Sequence, residues 1–316
     1  MKKASGKSFF IVAASVLLIL LYIFTIMFYR IYRRLDNIKT NTIDISNKEL
    51  KINERTYEKS VENSISNILL LGIDIEENAS DSIIIVSIDD RNKIIKLCSI
   101  MRDSYIYFGE GKINKINYAY HYGGPVLAIK TVNENYDLDI KHYVKVNFQQ
   151  LVNIVDAIGG IEIKLKEEEL PYLGNTQKNV GINKLNGMEA LNYSRIRRVG
   201  NGDYERTQRQ RIVLQAIFNK VKELPITKYE ALLEEICSSI ETSLDKLAML
   251  SLSQKIIGYG KNKVEETRVP YDDLKYDDYI DDIYYLRWDK KQSVQRLHEF
   301  IYNEDSKYVK GREMPY

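Results

Sequence analysis

The sequence contains little cysteine, histidine or tryptophan: its 316 residues include two cysteines, three histidines and one tryptophan. So few cysteines do not form a disulfide framework, and this fits a protein exported by a bacterium. We expect Cys98 and Cys237 to be buried free thiols, because free cysteine is among the most buried residue types.

An excess of one charge is also lacking. Lysine and arginine number 46 and aspartate and glutamate 44, which gives a formal net charge of +2. A chain so nearly balanced has no broad positive field, so its composition does not indicate a nucleic-acid partner. Any anion site must therefore be a local cluster of arginines.

Several catalytic motifs are missing. The sequence has no Gly-x-Ser-x-Gly, no His-Glu-x-x-His and no P-loop, which disfavours serine or cysteine triads and this type of zinc hydrolase. An enzyme with this sequence would work by positioning its substrates and stabilising charge, as phosphoryl transfer often does.

Residues 8–29 form an apolar run without any charged residue. At about 1.5 Å per residue, this run can cross a hydrocarbon core of about 30 Å. It is long for a signal peptide and no small-residue cleavage site follows it, so we predict an uncleaved single-pass anchor after a tail of residues 1–7. Basic residues flank both ends about equally, and the positive-inside rule leaves the orientation open.

The remainder of the chain begins with polar sequence. Residues 30–66 contain only isolated apolar side chains and are predicted to form a stalk or partly helical linker. Three short, β-branched apolar runs follow at residues 67–75, 82–89 and 93–100, and these predict strands buried on both faces. A hairpin turn is expected at 89–92.

Beyond this point strands alternate with helices. This alternation predicts an α/β fold, a three-layer α-β-α sandwich with a mixed central sheet, preceded by the one transmembrane helix. We expect residues 67–224 to form the core and residues 225–316 to form a C-terminal helical part packed on the same domain. The further predicted strands are 142–146 and 161–165, and the predicted helices are 125–134, 148–158, 186–195 and 206–224.

Two aspartates lie at adjacent strand ends. Asp74 is near the end of the first apolar run, and Asp81 directly precedes the second. Two carboxylates at one edge of a sheet suit Mg²⁺, which takes one or two carboxylates together with phosphate oxygens and water. Aspartate in such loops more often caps a turn, and spacing alone favours that ordinary role.

Arg102 and Asp103 follow the third run directly. An arginine after a buried strand can point into the crevice at the strand ends, where α/β sheets bind ligands. Its planar guanidinium suits phosphate, because it donates two parallel hydrogen bonds. A surface ion pair between the two residues is an equally good interpretation.

The densest charge lies between residues 193 and 211, around a glycine-containing loop between two predicted helices. Arg206, Arg209 and Gln210 share one helix face by i, i+3, i+4 spacing. Loop arginines beside a helix N-terminus make an anion site. A solvated basic face and contact with anionic lipid head groups remain alternatives. The arginines in this block are Arg195, Arg197, Arg198, Arg206, Arg209 and Arg211.

At these residues the sequence resembles the LytR-CpsA-Psr family of bacterial cell-wall ligases. The matching pieces run in family order over residues 67–211, and although each is weak, the ordered set is specific. The anchor followed by a stalk also matches, and the resemblance implies a cytoplasmic tail and an extracellular domain at the cell membrane. The pieces include NILLLGID, SDSIIIVSID, SIMRD, KINYAY, YGGP and the GDxxRxxRQ block.

The resemblance implies a transferase that moves teichoic acid, capsule or a related glycopolymer from a polyprenyl-pyrophosphate carrier to peptidoglycan, forming a phosphodiester. It implies Mg²⁺ (or Mn²⁺) at Asp74 and Asp81, an apolar tunnel for the prenyl chain, and membrane lipid as a neighbour. Asp103 or one of the two metal-site aspartates would be the general base. The arginines implied at the pyrophosphate and in catalysis are Arg102, Arg195, Arg197 and Arg206, with Arg209 and Gln210 close behind.

The sequence departs from the family pattern at two positions. The family usually carries arginine two residues after the first aspartate and two before the second, whereas this chain has Glu76 and Ala79. The alternatives are therefore a non-catalytic, membrane-anchored binding or regulatory protein of the cell wall, and a hydrolase of the lipid pyrophosphate.

Overall fold

The computed structural model describes residues 29, 32–108, 112–174, 177–225, 232, 234–236, 239–259 and 264–303. The predicted tail and anchor lie outside these residues, except for Tyr29. Among the residues that are described, no helix is both long enough and apolar enough to cross a membrane.

The secondary structure confirms most of the predicted elements within one to three residues at their ends. The helices with both ends in the described part are α1 Glu54–Asn63, α2 Tyr118–Tyr136, α3 Phe148–Ala157, α4 Gly187–Arg195, α5 Asp203–Glu223, α6 Lys246–Gly258 and α7 Lys290–Tyr302. The strands are β1 Lys39–Thr40, β2 Ile65–Asp74, β3 Ala79–Asp89, β4 Ile94–Ile100, β5 Tyr105–Tyr107, β6 Ile113–Lys115, β7 His142–Asn147, β8 Ile161–Leu165, β9 Gly181–Leu185, β10 Glu241–Thr242, β11 Val264–Val269, β12 Lys275–Ile280 and β13 Ile283–Trp288.

A seven-stranded mixed sheet forms the centre, in the order β1-β10-β7-β2-β3-β4-β11. Strand β2 pairs in parallel with β7 and antiparallel with β3, while β4 pairs antiparallel with β3 and in parallel with β11. The carboxyl ends of β2, β4, β7 and β11 therefore meet at one edge of the sheet. The predicted α/β fold with a mixed central sheet is confirmed.

Successive residues of each strand point to opposite sides of the sheet, and both of these faces are buried. Leu69 and Leu71 pack against helices α2 and α7 on one face. Ile68 and Ile84 pack on the other face, where residues of α5 and α6 cover them. The sheet thus lies between two helical layers.

Cysteine is used as predicted within the described residues. Cys98 is a buried free thiol, and burial raises the pKa of that thiol to about 12. The other cysteine, Cys237, lies outside the described residues.

The polar segment before residue 67 differs from the predicted linker. Its isolated apolar residues are buried: Leu50 is 2% and Ile52 8% exposed, and both belong to the core of the sheet face covered by α2 and α7. Strand β1 extends the central sheet. Helix α1 agrees with the partly helical alternative. Single apolar residues spaced through a polar stretch carry no periodic signal, so the sequence did not reveal that Leu50 and Ile52 pack in the core.

The C-terminal segment also differs from the predicted helical part. Strand β11 adds an edge to the central sheet by pairing in parallel with β4 over six residues. Strands β12 and β13 form a separate hairpin. Polar side chains such as Glu265 and Arg268 suit an edge strand that is partly exposed to solvent. Because of them, β11 has no continuous apolar run, and the sequence did not predict this strand.

Helix α2 begins earlier than the predicted helix at 125–134. Its first turn, residues 118–122, is separated from the rest by a kink at Gly123 and Gly124, and Gly124 has φ of +60°. Pro125 begins the second part, as predicted. The first turn is therefore a separate short segment, which lies next to the candidate active site.

Candidate active site

The candidate site lies at the sheet edge where the carboxyl ends of the parallel strands meet. Asp74 ends β2, Asp81 lies near the start of β3, and Arg102 follows β4. Helix α5 begins at Asp203 after a loop that contains Arg197. Ligands of open α/β sheets bind at this kind of edge.

A β-bulge places Asp81 in the site. The register between β2 and β3 shifts between Gly72 and Ile73, which pair with Ser82 and Ser80, so Asp81 has no partner opposite it. Bulges redirect side chains at functional edges. The chain requires glycine at position 72, because a Cβ there would lie 2.9 Å from the Cβ of Ser82.

Three arginines converge on two aspartates, and we call this set the arginine cluster. Arg102 Nη1 donates to Asp81, and its Nε lies 3.8 Å from Asp203 Oδ2. Arg197 lies 3.3 Å from Asp203 through Nε and 3.9 Å from Asp81 through Nη2. Arg206 Nη2 lies 3.4 Å from Asp203 Oδ2. Residues far apart in sequence therefore form one compact set of charges.

Burial and neighbouring charges shift the pKa values of two arginines of this cluster in opposite directions. Arg206 is only 2% exposed, and burial, together with the nearby Arg197 and Arg102, lowers its pKa to about 10, although Asp203 and Asp81 act in the opposite direction. Burial also acts to lower the pKa of Arg102, but the neighbouring carboxylates outweigh it and the pKa is raised. Both arginines stay charged at neutral pH, and a bound anion would stabilise them.

Hydrogen-bonding capacity is left unused in the same place. The Nε atoms of Arg102 and Arg206 and the Oε1 atom of Gln210 are buried and have no hydrogen-bond partner among the described residues. Buried polar atoms are nearly always paired in folded proteins. Two buried guanidinium N–H groups that make no hydrogen bond are suited to phosphate oxygens.

Asp103 faces a cation that sequence reasoning missed. Lys115 Nζ lies 2.9 Å from Asp103 Oδ1, and Arg102 Nε lies 3.5 Å from Asp103 Oδ2. Asp203 was also missed. Both missed residues occur within motifs that had been recognised: Lys115 begins KINYAY, and Asp203 lies in the GDxxRxxRQ block three residues before Arg206.

Two of the predicted arginines have other contacts. Arg209 is fully engaged within the protein, because it donates to Glu169 at 2.8 Å, to the Ile196 carbonyl at 3.1 Å and to Glu205 at 2.8 Å. It therefore holds the loop that carries Arg197. Arg195 is exposed, with its guanidinium over the Phe148 ring at 4.6 Å, near the end of β7.

The two predicted metal ligands fit a magnesium ion in their chemistry. Asp74 Oδ1 accepts from the N–H of Glu76 at 2.9 Å and of Glu77 at 3.4 Å, which is the turn role that spacing favoured. Its Oδ2 has no partner in the described part of the chain. No group of three or more His, Cys, Asp or Glu side chains there is arranged to hold a metal. Asp74 and Asp81 therefore offer only the two carboxylates that Mg²⁺ uses when phosphate oxygens complete its shell.

The two departures from the family pattern have different surroundings. Glu76 is exposed to solvent, whereas Ala79 is 2% exposed and pairs with Asp74 across β2 and β3. The positive charge of the site therefore comes from Arg102, Arg197 and Arg206 and not from the loop between β2 and β3.

Comparison with known proteins gives a consistent result. The model of the LytR_cpsA_psr family matches residues 25–300. A protein of Enterococcus faecalis named polyisoprenyl-teichoic acid–peptidoglycan teichoic acid transferase TagU is 35% identical over 211 residues, which cover 63% of this chain and 68% of that protein.

Solved structures share the fold. A structure described as TagT bound to LIIa-WTA superposes with a TM-score of 0.66 at 27% identity, covering 76% of this chain and 90% of that one. The family protein YwtF (TagT) with bound octaprenyl pyrophosphate lipid gives a TM-score of 0.61 at 26% identity, covering 76% and 89%.

Proposed function

The chain belongs to the LytR-CpsA-Psr family, and from this we propose that it transfers a glycopolymer from a polyprenyl-pyrophosphate carrier to peptidoglycan. The relative in Enterococcus faecalis is named as such a transferase for teichoic acid. A neighbouring structure contains octaprenyl pyrophosphate. The product is a phosphodiester, and the lipid phosphate is the leaving group.

The observation that carries this proposal is the arginine cluster. Arg102 and Arg206 each keep a buried Nε without a hydrogen-bond partner, and Arg197 lies between the same two aspartates. Three guanidinium groups at the carboxyl edge of the sheet fit a pyrophosphate in charge and in hydrogen-bonding geometry.

The reaction follows from these groups. An acceptor hydroxyl attacks the phosphorus that carries the polymer, the bond from that phosphorus to the bridging oxygen breaks, and the electron pair leaves with the lipid phosphate. Arg102, Arg197 and Arg206 would stabilise the negative charge that moves onto the leaving phosphate. The hydroxyl proton would pass to a carboxylate at this edge, which is Asp103, Asp74 or Asp81.

We propose that Asp74 and Asp81 hold Mg²⁺ or Mn²⁺ together with phosphate oxygens. Such an ion would neutralise charge on the transferred phosphoryl group. Asp81 is paired with Arg102 and Arg197, so this carboxylate would hold the ion beside both guanidinium groups. Arg195, Arg209 and Gln210 would act at the periphery, Arg209 by holding the loop of Arg197.

The location proposed for the chain follows its sequence. Residues 8–29 would anchor it in the cell membrane, with the domain on the extracellular side. That side presents both membrane-bound carrier lipid and peptidoglycan.

The test is a transfer assay with a polyprenyl-pyrophosphate-linked sugar, Mg²⁺ and peptidoglycan fragments, followed by detection of the phosphodiester product and of free lipid phosphate. We expect Arg102→Ala to lower transfer by about 10²–10³-fold, the usual effect of losing one preorganised donor. Arg296→Ala is the control, because Arg296 is a partly exposed arginine whose ion-pair partner is Asp273 and not a residue of the arginine cluster.

Three other outcomes of this assay would contradict the proposal. Binding of the lipid without any product would replace the proposal with the binding protein that Glu76 and Ala79 suggest. Release of lipid phosphate without peptidoglycan would identify a hydrolase. Equal transfer by wild type and Arg102→Ala would refute the site.

A further inference from the structure

An exposed aromatic surface adjoins the arginine cluster and has no part in the pyrophosphate site. It consists of Phe108, Tyr118, His121 and Tyr122, which we call the aromatic platform. The rings of Tyr118 and Tyr122 stack with centroids 5.8 Å apart and planes at 25°. Phe108 and His121 meet Tyr122 edge-on at 6.2 Å and 5.3 Å. Tyr118 is 36% and Tyr122 61% exposed.

Local structure fixes these rings in place. Tyr118 and Tyr122 are four residues apart on the first turn of α2 and therefore share a face. Asn114 Nδ2 donates to the Tyr122 hydroxyl at 3.1 Å. The kink that ends this turn requires glycine, because a Cβ at Gly123 would lie 2.6 Å from the Cβ of Leu127. The platform is thus preorganised, which lowers the entropy lost on binding.

Asn117, which directly precedes Tyr118, links the platform to the site through backbone hydrogen bonds. The N–H of Asn117 donates to the Arg102 carbonyl at 3.2 Å, and its carbonyl accepts from the Ser80 N–H at 3.5 Å. Ser80 directly precedes Asp81. The platform therefore begins where the arginine cluster and the proposed metal site meet.

Asn117 also indicates which kind of ligand this surface can bind. Its side chain is 6% exposed, and its Oδ1 is buried without a hydrogen-bond partner among the described residues. An ionised pyrophosphate offers only acceptor oxygens and cannot satisfy this atom. A ligand that donates hydrogen bonds, such as one with hydroxyl or amide groups, can do so.

We propose that the aromatic platform and Asn117 form the subsite for the acceptor, a glycan strand of peptidoglycan. This inference rests on the proposed function. A hexosamine ring has an apolar C–H face, which can stack on tyrosine, and a rim of hydroxyl and amide groups that hydrogen-bond to polar neighbours, such as the tyrosine hydroxyls and Asn117. The acceptor is favoured over the donor polymer, because the donor's pyrophosphate occupies the arginine cluster and the acceptor must reach the same phosphorus from a neighbouring surface.

The probe is chitotetraose, a β-1,4-linked N-acetylglucosamine tetramer, titrated by calorimetry into the full chain in detergent. We expect Tyr122→Ala and Asn117→Ala each to weaken binding about tenfold or more. Tyr122→Phe keeps the ring and should bind within about threefold of wild type. Tyr276→Ala, which removes a tyrosine of similar exposure (57%) on the hairpin, should leave binding unchanged.

Farnesyl pyrophosphate separates this inference from the proposed function. The platform variants should bind it as wild type does, and failure of wild type to bind it would refute the proposed function itself. The inference alone is overturned if wild type binds farnesyl pyrophosphate but not chitotetraose, or if Tyr122→Ala binds chitotetraose normally. It is also overturned if that variant instead loses a farnesyl-pyrophosphate-linked sugar or anionic phosphatidylglycerol vesicles, which would assign the platform to the donor or to the membrane.

Discussion

Asp203 shows how a single carboxylate can organise a site for an anion. It lies within 4 Å of Arg102, which follows β4, and of Arg197 and Arg206, which flank the loop before α5. Without it, three like charges would repel one another in a partly buried crevice. A pyrophosphate can then displace part of this pairing without any large movement of the guanidinium groups.

Glu241 provides a different residue-scale case, in which a buried carboxylate stabilises the fold. Burial acts to raise its pKa, but hydrogen bonds from Lys145, Lys39 and Tyr143 outweigh burial and lower the pKa to about 2. Because this folded-state pKa lies below the ordinary value of 4.5, its contribution is present above pH 4.5 and is lost as the pH falls toward 2.

We therefore expect Glu241→Gln to lower the free energy of unfolding at pH 7 by about 1.5–3 kcal/mol, the range for hydrogen bonds to charged groups. The difference from wild type should shrink as the pH is lowered from about 4.5 to about 2. Chemical denaturation over a series of pH values measures both quantities. A difference that stays constant over this range would contradict the assigned charge.

Sequence reasoning at this scale found the charges but not their partners. Arg102, Arg197 and Arg206 could be predicted because arginines after a strand and around a glycine loop follow local patterns. The pairing of Arg102 and Arg197 with Asp81 could not be predicted, since it depends on a bulge at Gly72 and Ile73 that only the paired strands reveal. Asn117 carried no signal, because an unpaired buried atom is a property of the folded chain.

At the scale of elements, the segment before residue 67 has the clearest energetic role. Helix α1 presents Val61 to solvent, where it is 60% exposed, whereas Leu50 lies 2% exposed in the core just before the helix. Leu50 packs in the same cluster as Ile65 at the start of β2. The folded domain therefore includes sequence that its polarity had assigned to a linker.

These two residues give a matched pair of variants. Leu50→Ala should lower the free energy of unfolding by about 2–5 kcal/mol through lost burial and a residual cavity. Val61→Ala should change it by less than about 0.5 kcal/mol, because its side chain is on the surface. Urea denaturation of both variants compares them directly, and similar values for the two would mean that this segment is not part of the core.

The elements differ in how well their sequences reveal them. Strands β2, β3 and β4 contain continuous apolar runs buried on both faces, so the pattern predicted their ends to within three residues. Strand β11 has charged residues on an edge and lacks such a run. The first turn of α2 is stabilised by its tertiary position, and no propensity of YAYHY followed by two glycines would indicate it.

At the scale of the whole molecule, the folded state contains a buried positive charge at the site that lowers its stability. Arg206 is buried, its Nε is unpaired, and its pKa is lowered to about 10, so the folded state binds its proton less tightly than the unfolded state does. Near neutral pH the charged form therefore opposes folding. Functional sites often retain such destabilising groups, and stability must come from the rest of the structure.

Arg206→Met should therefore raise the free energy of unfolding by about 1–2 kcal/mol, because a side chain of similar length would fill the space without a desolvated charge. Asp203 would keep Arg102 and Arg197 as partners. The same variant should lose the rise in melting temperature that farnesyl pyrophosphate gives wild type through binding linkage.

Arg209→Met is the matched control for this prediction, since Arg209 lies on the same helix and is equally buried at 2% exposure. All three of its hydrogen bonds go to the protein, to Glu169, Glu205 and the Ile196 carbonyl. Its loss would leave Glu169 buried without its charged partner and should lower stability by about 3–5 kcal/mol. Denaturation curves for the two variants should therefore shift in opposite directions. If both shift downward, Arg206 stabilises the fold as Arg209 does, and the unpaired guanidinium is not reserved for an anion.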